Sequence, residues 1–256
     1  MASYQYLRDI KESDLAPDAA PEYTRKQKLQ NWWHYHWKLV LGGLLAAAMA
    51  VSFAKDVLFK GPQPDHVISI VAAQTVPEEV CAALQQALAP YADDRNGDGT
   101  AVLAVQHYTL NFNPDTALTE GDAYAQMAGS TQLSADFQSG TSYVFLVQDP
   151  AGMVGYTQAM QYLDGTLPPE VDPGDEAALQ ALTDQWPQMF YAWGDCPVLA
   201  GLELGSYTAV DGAMVDLQQY LSNLYVGRRG IWTEQSAQQL AGCDILWQVL
   251  TAGAAQ

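Results

Sequence analysis

Between Leu39 and Ala54 the chain runs sixteen residues without a charge, nearly all of them apolar. A bilayer core needs about 20 residues in a helix rising 1.5 Å each. Trp37 on one side and Val57 to Phe59 on the other supply the missing length, with Lys38 and Lys55 able to snorkel. Trp32, Trp33, Tyr35 and Trp37 cluster just before the run, as an interfacial aromatic belt would. The pattern predicts a transmembrane helix over residues 32–59. Residues 1–31 hold few aliphatics and are broken by Pro17 and Pro21, which predicts a cytoplasmic tail. Gly61-Pro62-Gln63-Pro64 marks residues 60–65 as a linker, leaving 66–256 as one folded domain.

Inside that domain the hydrophobic period changes repeatedly. His66 to Ala73 is almost continuously apolar, as a buried strand is. Thr75-Val76-Pro77-Glu78 reads as a capping box, followed by Val80, Leu84, Ala87, Leu88 and Tyr91 at helical spacing, with Cys81 on the same face. Ala101 to Phe112 reads as a second strand. Ala123 to Phe137 follows as a helix with Met127, Leu133 and Phe137 inward, and Ser142 to Gln148 as a third strand. Strand, helix, strand, helix, strand in that order predicts an α/β fold: a βαβαβ unit with a mostly parallel sheet and right-handed crossovers. Beyond Pro150 the pattern predicts a mainly helical part: Met153–Leu163, Asp175–Leu182, Val215–Leu221 and Glu234–Leu250, with Leu224–Trp232 extended. Trp186 to Tyr207 mixes aromatics with Gly and Pro and has no period.

Charge divides at the apolar run. Residues 1–38 carry six Lys/Arg and five acids; the remainder carries 5 basic and 24 acidic residues, and +1 with −19 gives the net −18. Arg25, Lys26, Lys28 and Lys38 precede the run, and only Lys55 and Lys60 follow closely. The positive-inside bias therefore predicts a plasma-membrane protein with its N-terminus cytoplasmic and its C-terminal domain outside. So acidic a domain repels nucleic acid, which excludes a DNA or RNA partner. Ala48-Met49-Ala50 resembles a signal-peptidase site, but a 38-residue leader with five acids does not fit a signal peptide, so the segment reads as a retained anchor.

Candidate chemistry is sparse. Asp94-x-Asn96-x-Asp98-Gly99 matches the first half of a calcium loop, with alternate oxygens facing one centre. The twelfth position is Val105, so the same stretch reads equally as a Gly-rich turn, and Ca2+ would be structural. The three cysteines lie where disulfides are permitted; the expected pair is Cys196 with Cys243, leaving Cys81 a free buried thiol. Arg228 and Arg229 are, with Arg95, the only cations beyond Lys60. Either could anchor a carboxylate or phosphate ligand, or pair with the surrounding acids; on a strand they would face opposite ways. Nucleophile elbow, zinc, Walker and dinucleotide motifs are absent from the sequence.

The run Leu133-Ser-Ala-Asp136-Phe137-Gln-Ser-Gly140, followed by Tyr143-Val144-Phe145-Leu146, resembles a stretch in the extracellular solute-binding proteins of ABC transporters. That resemblance implies that residues 66–149 form a lobe like their first one. The overall layout also looks like single-pass membrane proteins of anaerobic Gram-positive bacteria. The expectation is a membrane-anchored, extracytoplasmic binding or interaction domain, solute-binding-like and transporter-associated, without catalysis. Its partner would be a small molecule or a membrane protein. Two alternatives stand beside it: a cell-envelope enzyme with an acidic active site, and a structural subunit of a membrane assembly using region 186–207.

Overall fold

The computed structural model describes residues 24–58, 63–113, 120–209 and 212–255, in two units, Met1–Gly61 and Pro62–Gln256. The described part of the first unit holds one helix, α1 (Arg25–Leu58). It starts seven residues before the predicted Trp32, because Thr24 and Gln27 form a reciprocal cap: the Thr24 N–H donates to Gln27 Oε1 at 3.0 Å, and the Gln27 N–H to Thr24 Oγ1 at 3.4 Å. Trp32 and His36 stack at 5.1 Å, one turn apart. The helix is long and apolar enough to cross a membrane, and none of its apolar window is buried against protein.

The second unit is a mixed α/β domain. Its strands are β1 (His66–Ala72), β2 (Leu103–Thr109), β3 (Val144–Val147), β4 (Phe190–Ala192), β5 (Ser206–Thr208), β6 (Met214–Asp216) and β7 (Tyr225–Arg228). Five of them form one sheet in the order β2-β1-β3-β7-β4, and β5 and β6 form a separate antiparallel ribbon. β1 is parallel to both β2 and β3; β7 runs antiparallel to β3 and to β4. The helices are α2 (Glu78–Leu88), α3 (Glu120–Ser139), α4 (Pro150–Thr157), α5 (Glu176–Thr183), α6 (Pro197–Ala200), α7 (Leu217–Leu221), α8 (Glu234–Gln239) and α9 (Cys243–Leu250).

Every residue of β1 is buried, which explains its almost continuous apolar run, broken only by His66 and Ser69. Ile68 and Ile70 join one core with Val80 and Leu84 of α2 and Leu246 and Trp247 of α9. Val71 joins a second with Tyr108, Leu133, Phe145, Met153 and Met189. The parallel β1–β3 arrangement, with the final antiparallel strand set inside the sheet, makes the fold mostly but not wholly parallel.

Several details depart from the pattern-based expectation. The part beyond Pro150, expected to be mainly helical, also holds β4 to β7, and the helix expected over Val215–Leu221 begins only at Leu217, because Val215 pairs with Tyr207 in the β5–β6 ribbon. Pro77 caps α2 without any side-chain hydrogen bond, because the Thr75 hydroxyl lies 3.2 Å from that of Thr109 instead. Met127 points to solvent at 61% exposure, since α3 turns Leu133 rather than Met127 to the sheet. The helix expected over 153–163 starts at Pro150, where Asp149 accepts the Gly152 N–H at 2.9 Å, and stops at Gln158, whose φ is 50°.

Asp65 anchors the loop between α2 and β2. Its buried carboxylate accepts the N–H groups of Arg95 (3.0 Å), Asn96 (2.8 Å) and Val102 (2.8 Å). Burial alone would raise its pKa. The three backbone donors, helped by neighbouring His66, outweigh that and hold it below the usual carboxylate range. A depressed folded pKa contributes stability above the unfolded pKa of about 3.9, lost as pH falls through the folded value. Acid titration of the domain should therefore show a loss of stability below about pH 4 that is smaller in Asp65→Asn. Identical acid limbs would remove Asp65 from that role.

Candidate functional site

Four short pieces with no common period build a hollow along the free edge of the sheet. The Tyr162–Thr166 turn closes through Tyr162 N–H to Thr166 O (3.1 Å) and Gly165 N–H to Tyr162 O (3.0 Å). It is tied to the helical turn Trp186–Gln188 by the Leu163 N–H donating to Gln188 O at 2.8 Å. Phe190 to Ala192 of β4 and Tyr225 of β7 supply the floor. The hollow encloses about 780 Å³, a size that suits a small solute.

Its chemistry is aromatic and acidic. Tyr162, Trp186, Tyr191 and Tyr225 line it with Asp164 and Asp195, and among the described residues no Lys, Arg or His does. Trp186 and Tyr225 meet edge to face, 5.2 Å between centroids and 80° between planes, so they form a corner. Tyr191 is backed by Trp247 at 6.1 Å. The Tyr162 hydroxyl donates to Gln185, which fixes that ring. Asp164 Oδ1 accepts from Thr166 through N–H (2.8 Å) and hydroxyl (2.7 Å). Those bonds, with a smaller contribution from Arg228, lower its pKa and keep it ionised.

A second polar centre lies between α3 and the sheet. Asp136, 4% exposed, accepts the Tyr108 hydroxyl (2.7 Å), Gln106 Nε2 (3.1 Å), the Ser69 hydroxyl (3.2 Å) and the Ser142 N–H (2.7 Å). Burial, then Asp136, raise the Tyr108 pKa. All four donors come from within the domain. The centre is a fastening between α3 and β1–β2.

The sequence-predicted residues are not brought together. Arg228 and Arg229 do face opposite ways. Arg228 pairs with Asp244 at 2.7 Å and lies 5.1 Å over Trp247. Arg229 donates to the carbonyls of Asp136 (3.5 Å) and Phe137 (2.8 Å), 4.9 Å over the Phe137 ring. Both guanidinium groups are thus spent on internal partners, although the Nε of each has none. Asp94 turns its oxygens on its own loop, accepting the N–H groups of Gly97 (2.7 Å), Asp98 (3.2 Å) and Gly99 (2.8 Å). Asn96 accepts that of Asp98 (2.8 Å) and Asp98 that of Thr100 (2.9 Å). Gly97 and Gly99 carry positive φ, so the geometry is that of a turn. Among the described residues no group of three or more His, Cys, Asp or Glu is placed to hold a metal.

The expected Cys196–Cys243 bridge is not formed: all three cysteines are free and buried. Cys243 Sγ accepts instead from Arg95 Nη1 at 3.0 Å. Burial, with Asp195 nearby, pushes the Cys196 thiol up to about 11. Cys81 lies 4.0 Å from His107 Nδ1, yet burial and Glu78 push its thiol up to about 11 as well, so it is no thiolate nucleophile.

No family profile, curated protein or solved structure matches this chain. The site is therefore read from its own residues. At the carboxyl ends of β1 and β3, where such folds often bind ligands, the Gln148 side chain accepts the Ala73 N–H at 3.0 Å and closes the gap. A neighbouring hollow of about 780 Å³ beside Phe112, Asp149, Tyr156 and Glu176 is a groove between α4 and α5. The edge hollow is the better candidate, because its aromatic walls are fixed by ring contacts and hydrogen bonds. Sequence reasoning noticed the aromatics of 186–207 but not Tyr162, Asp164 or Tyr225, which lie far from that stretch in the chain.

Proposed function

We propose that this protein is a membrane-anchored binding protein without catalysis, its α/β domain held outside the cell by α1 with the N-terminus in the cytoplasm. The observation that carries the reading is the aromatic, acidic hollow along β4, which none of the domain's own cations fills. Supporting it are the protonated thiols and the saturated Asp136, which leave those groups without an obvious catalytic task. The charge asymmetry around α1 supports the orientation.

The full chain, purified in dodecyl maltoside after equilibration with a cell extract, should retain a small solute detectable by mass spectrometry, and Trp186→Ala should not. Equal retention by both, or none by either, counts against the hollow as a binding site. Protease added to intact cells should remove the region after Lys60 and spare an N-terminal tag; a protected C-terminus reverses the orientation.

A further inference from the structure

Resting on that binding reading, we infer that the hollow along β4 takes a small, fully alkylated ammonium cation of the choline class. The walls present π-systems, whose faces are negative and attract a cation placed over them. Trp186 and Tyr225, set at 80°, offer a corner that a rounded cation can fill from two sides. The domain already uses this contact internally, with Arg228 over Trp247 and Arg229 over Phe137.

Charge points the same way. Asp164 and Asp195 are exposed carboxylates in the lining, and among the described residues none in the lining is basic. From His66 onward the chain has only three cations: Arg95, Arg228 and Arg229. Arg95 is bound to Gln239 O (2.9 Å) and Cys243, Arg228 to Asp244, and Arg229 to the end of α3. Arg228 is the one near enough to act on Asp164: its Nη2 lies 3.5 Å and 3.4 Å from the Tyr162 and Leu163 carbonyls behind the turn, while its Nη1 is paired with Asp244 at 2.7 Å. The field in the hollow is therefore negative, which attracts cations and repels anions.

The degree of alkylation follows from the acceptors. A primary ammonium ion brings three N–H donors that must each be satisfied once water is removed. Asp164 Oδ1 already takes two donors from Thr166, the other Asp164 oxygen and the Asp195 carboxylate sit at exposed positions open to water, and the rings themselves offer no strong acceptors. A quaternary nitrogen has no N–H to satisfy and carries an apolar shell that suits the rings. A hydroxyl on such a solute would meet Gln188 or Thr166, both in the lining.

The test is isothermal titration of the full chain in dodecyl maltoside with choline and with its uncharged isostere 3,3-dimethylbutan-1-ol. Choline should bind at least about 10-fold more tightly than the isostere, the range expected for a cation at an aromatic site. Asp164→Asn/Asp195→Asn, which keeps an amide oxygen for the Thr166 bonds, should weaken choline about 5-fold and the isostere much less. Equal binding of the two solutes at a Trp186-dependent site overturns the cation and keeps the hollow as a ligand site. No binding of either overturns the cation, and retention of a different solute in the extract experiment would then preserve the broader function. A phosphocholine arm separates the free solute from a lipid headgroup. The two carboxylates should make phosphocholine weaker than choline, and equal or tighter binding would overturn their role.

Discussion

Replacing Asp136 by alanine is expected to destabilise the domain by about 3–5 kcal/mol, among the largest losses from a single polar group. The carboxylate collects four donors: the Ser69 hydroxyl of β1, the Gln106 amide and Tyr108 hydroxyl of β2, and the Ser142 N–H just before β3. Removing it leaves the Ser142 N–H and the Tyr108, Gln106 and Ser69 side chains without their shared acceptor in a largely dry place. Hydrogen bonds to a charged group contribute about 1.5–3 kcal/mol each, but some donors would regain water through the shallow hollow beside Gln106 and His107. Arg229, on the carbonyls at the end of α3, also loses a nearby negative charge. Urea unfolding of the full chain measures the effect. Asp136→Asn separates charge from shape and should cost about half as much, because one oxygen acceptor remains. A loss under about 1 kcal/mol for the alanine variant would mean that the network does not hold α3 in place.

Gly129→Ala is expected to cost about 2–3 kcal/mol, against the usual direction for a helix, where alanine gains up to about 1 kcal/mol over glycine. The reason is contact with backbone. A methyl group at Gly129 would sit 2.3 Å from the carbonyl oxygen of Thr109 and 3.2 Å from its nitrogen. Thr109 ends β2 and is held in register with Ala72, so it cannot move aside as a flexible side chain could. Either α3 lifts from the sheet, which stretches the Asp136 network, or β2 bends. The two changes share one interface, so the double variant with Asp136→Ala should destabilise by less than the sum. A stabilised Gly129→Ala would place the helix farther from β2 than the structure has it.

The elements legible in the sequence are those whose neighbours in space repeat along the chain. β1, β3 and α2 are buried over whole runs or on one face, and their apolar periods mark them. α3 is weaker: its ends were close, but Met127 mimics an inward position that the helix turns to water. β4 is three residues long and is defined by β7, thirty-five residues later, so no local pattern could announce it. The same holds for the hollow, whose walls come from a turn at Tyr162, a helical turn at Trp186 and a strand at Tyr225. Asp136 reads locally as an ordinary acid near the end of a polar helix; only folding surrounds it with donors. The cysteines misled because two unpatterned positions in an odd set invite pairing, whereas Arg95 had already claimed the Cys243 sulfur.

The place of β7 between β3 and β4 also sets an order of birth. During synthesis, the open side of β3 is complete once Val147 has emerged, yet its partner Tyr225 follows 78 residues later. At 5–20 residues per second that interval lasts roughly 4–16 s, in which the backbone groups of a fully apolar strand wait unpaired. β4 waits too, since it docks only on β7. A nascent chain of this protein therefore carries an open sheet edge across that window. A ribosome stalled before Tyr225 would release a half-sheet with an adhesive edge.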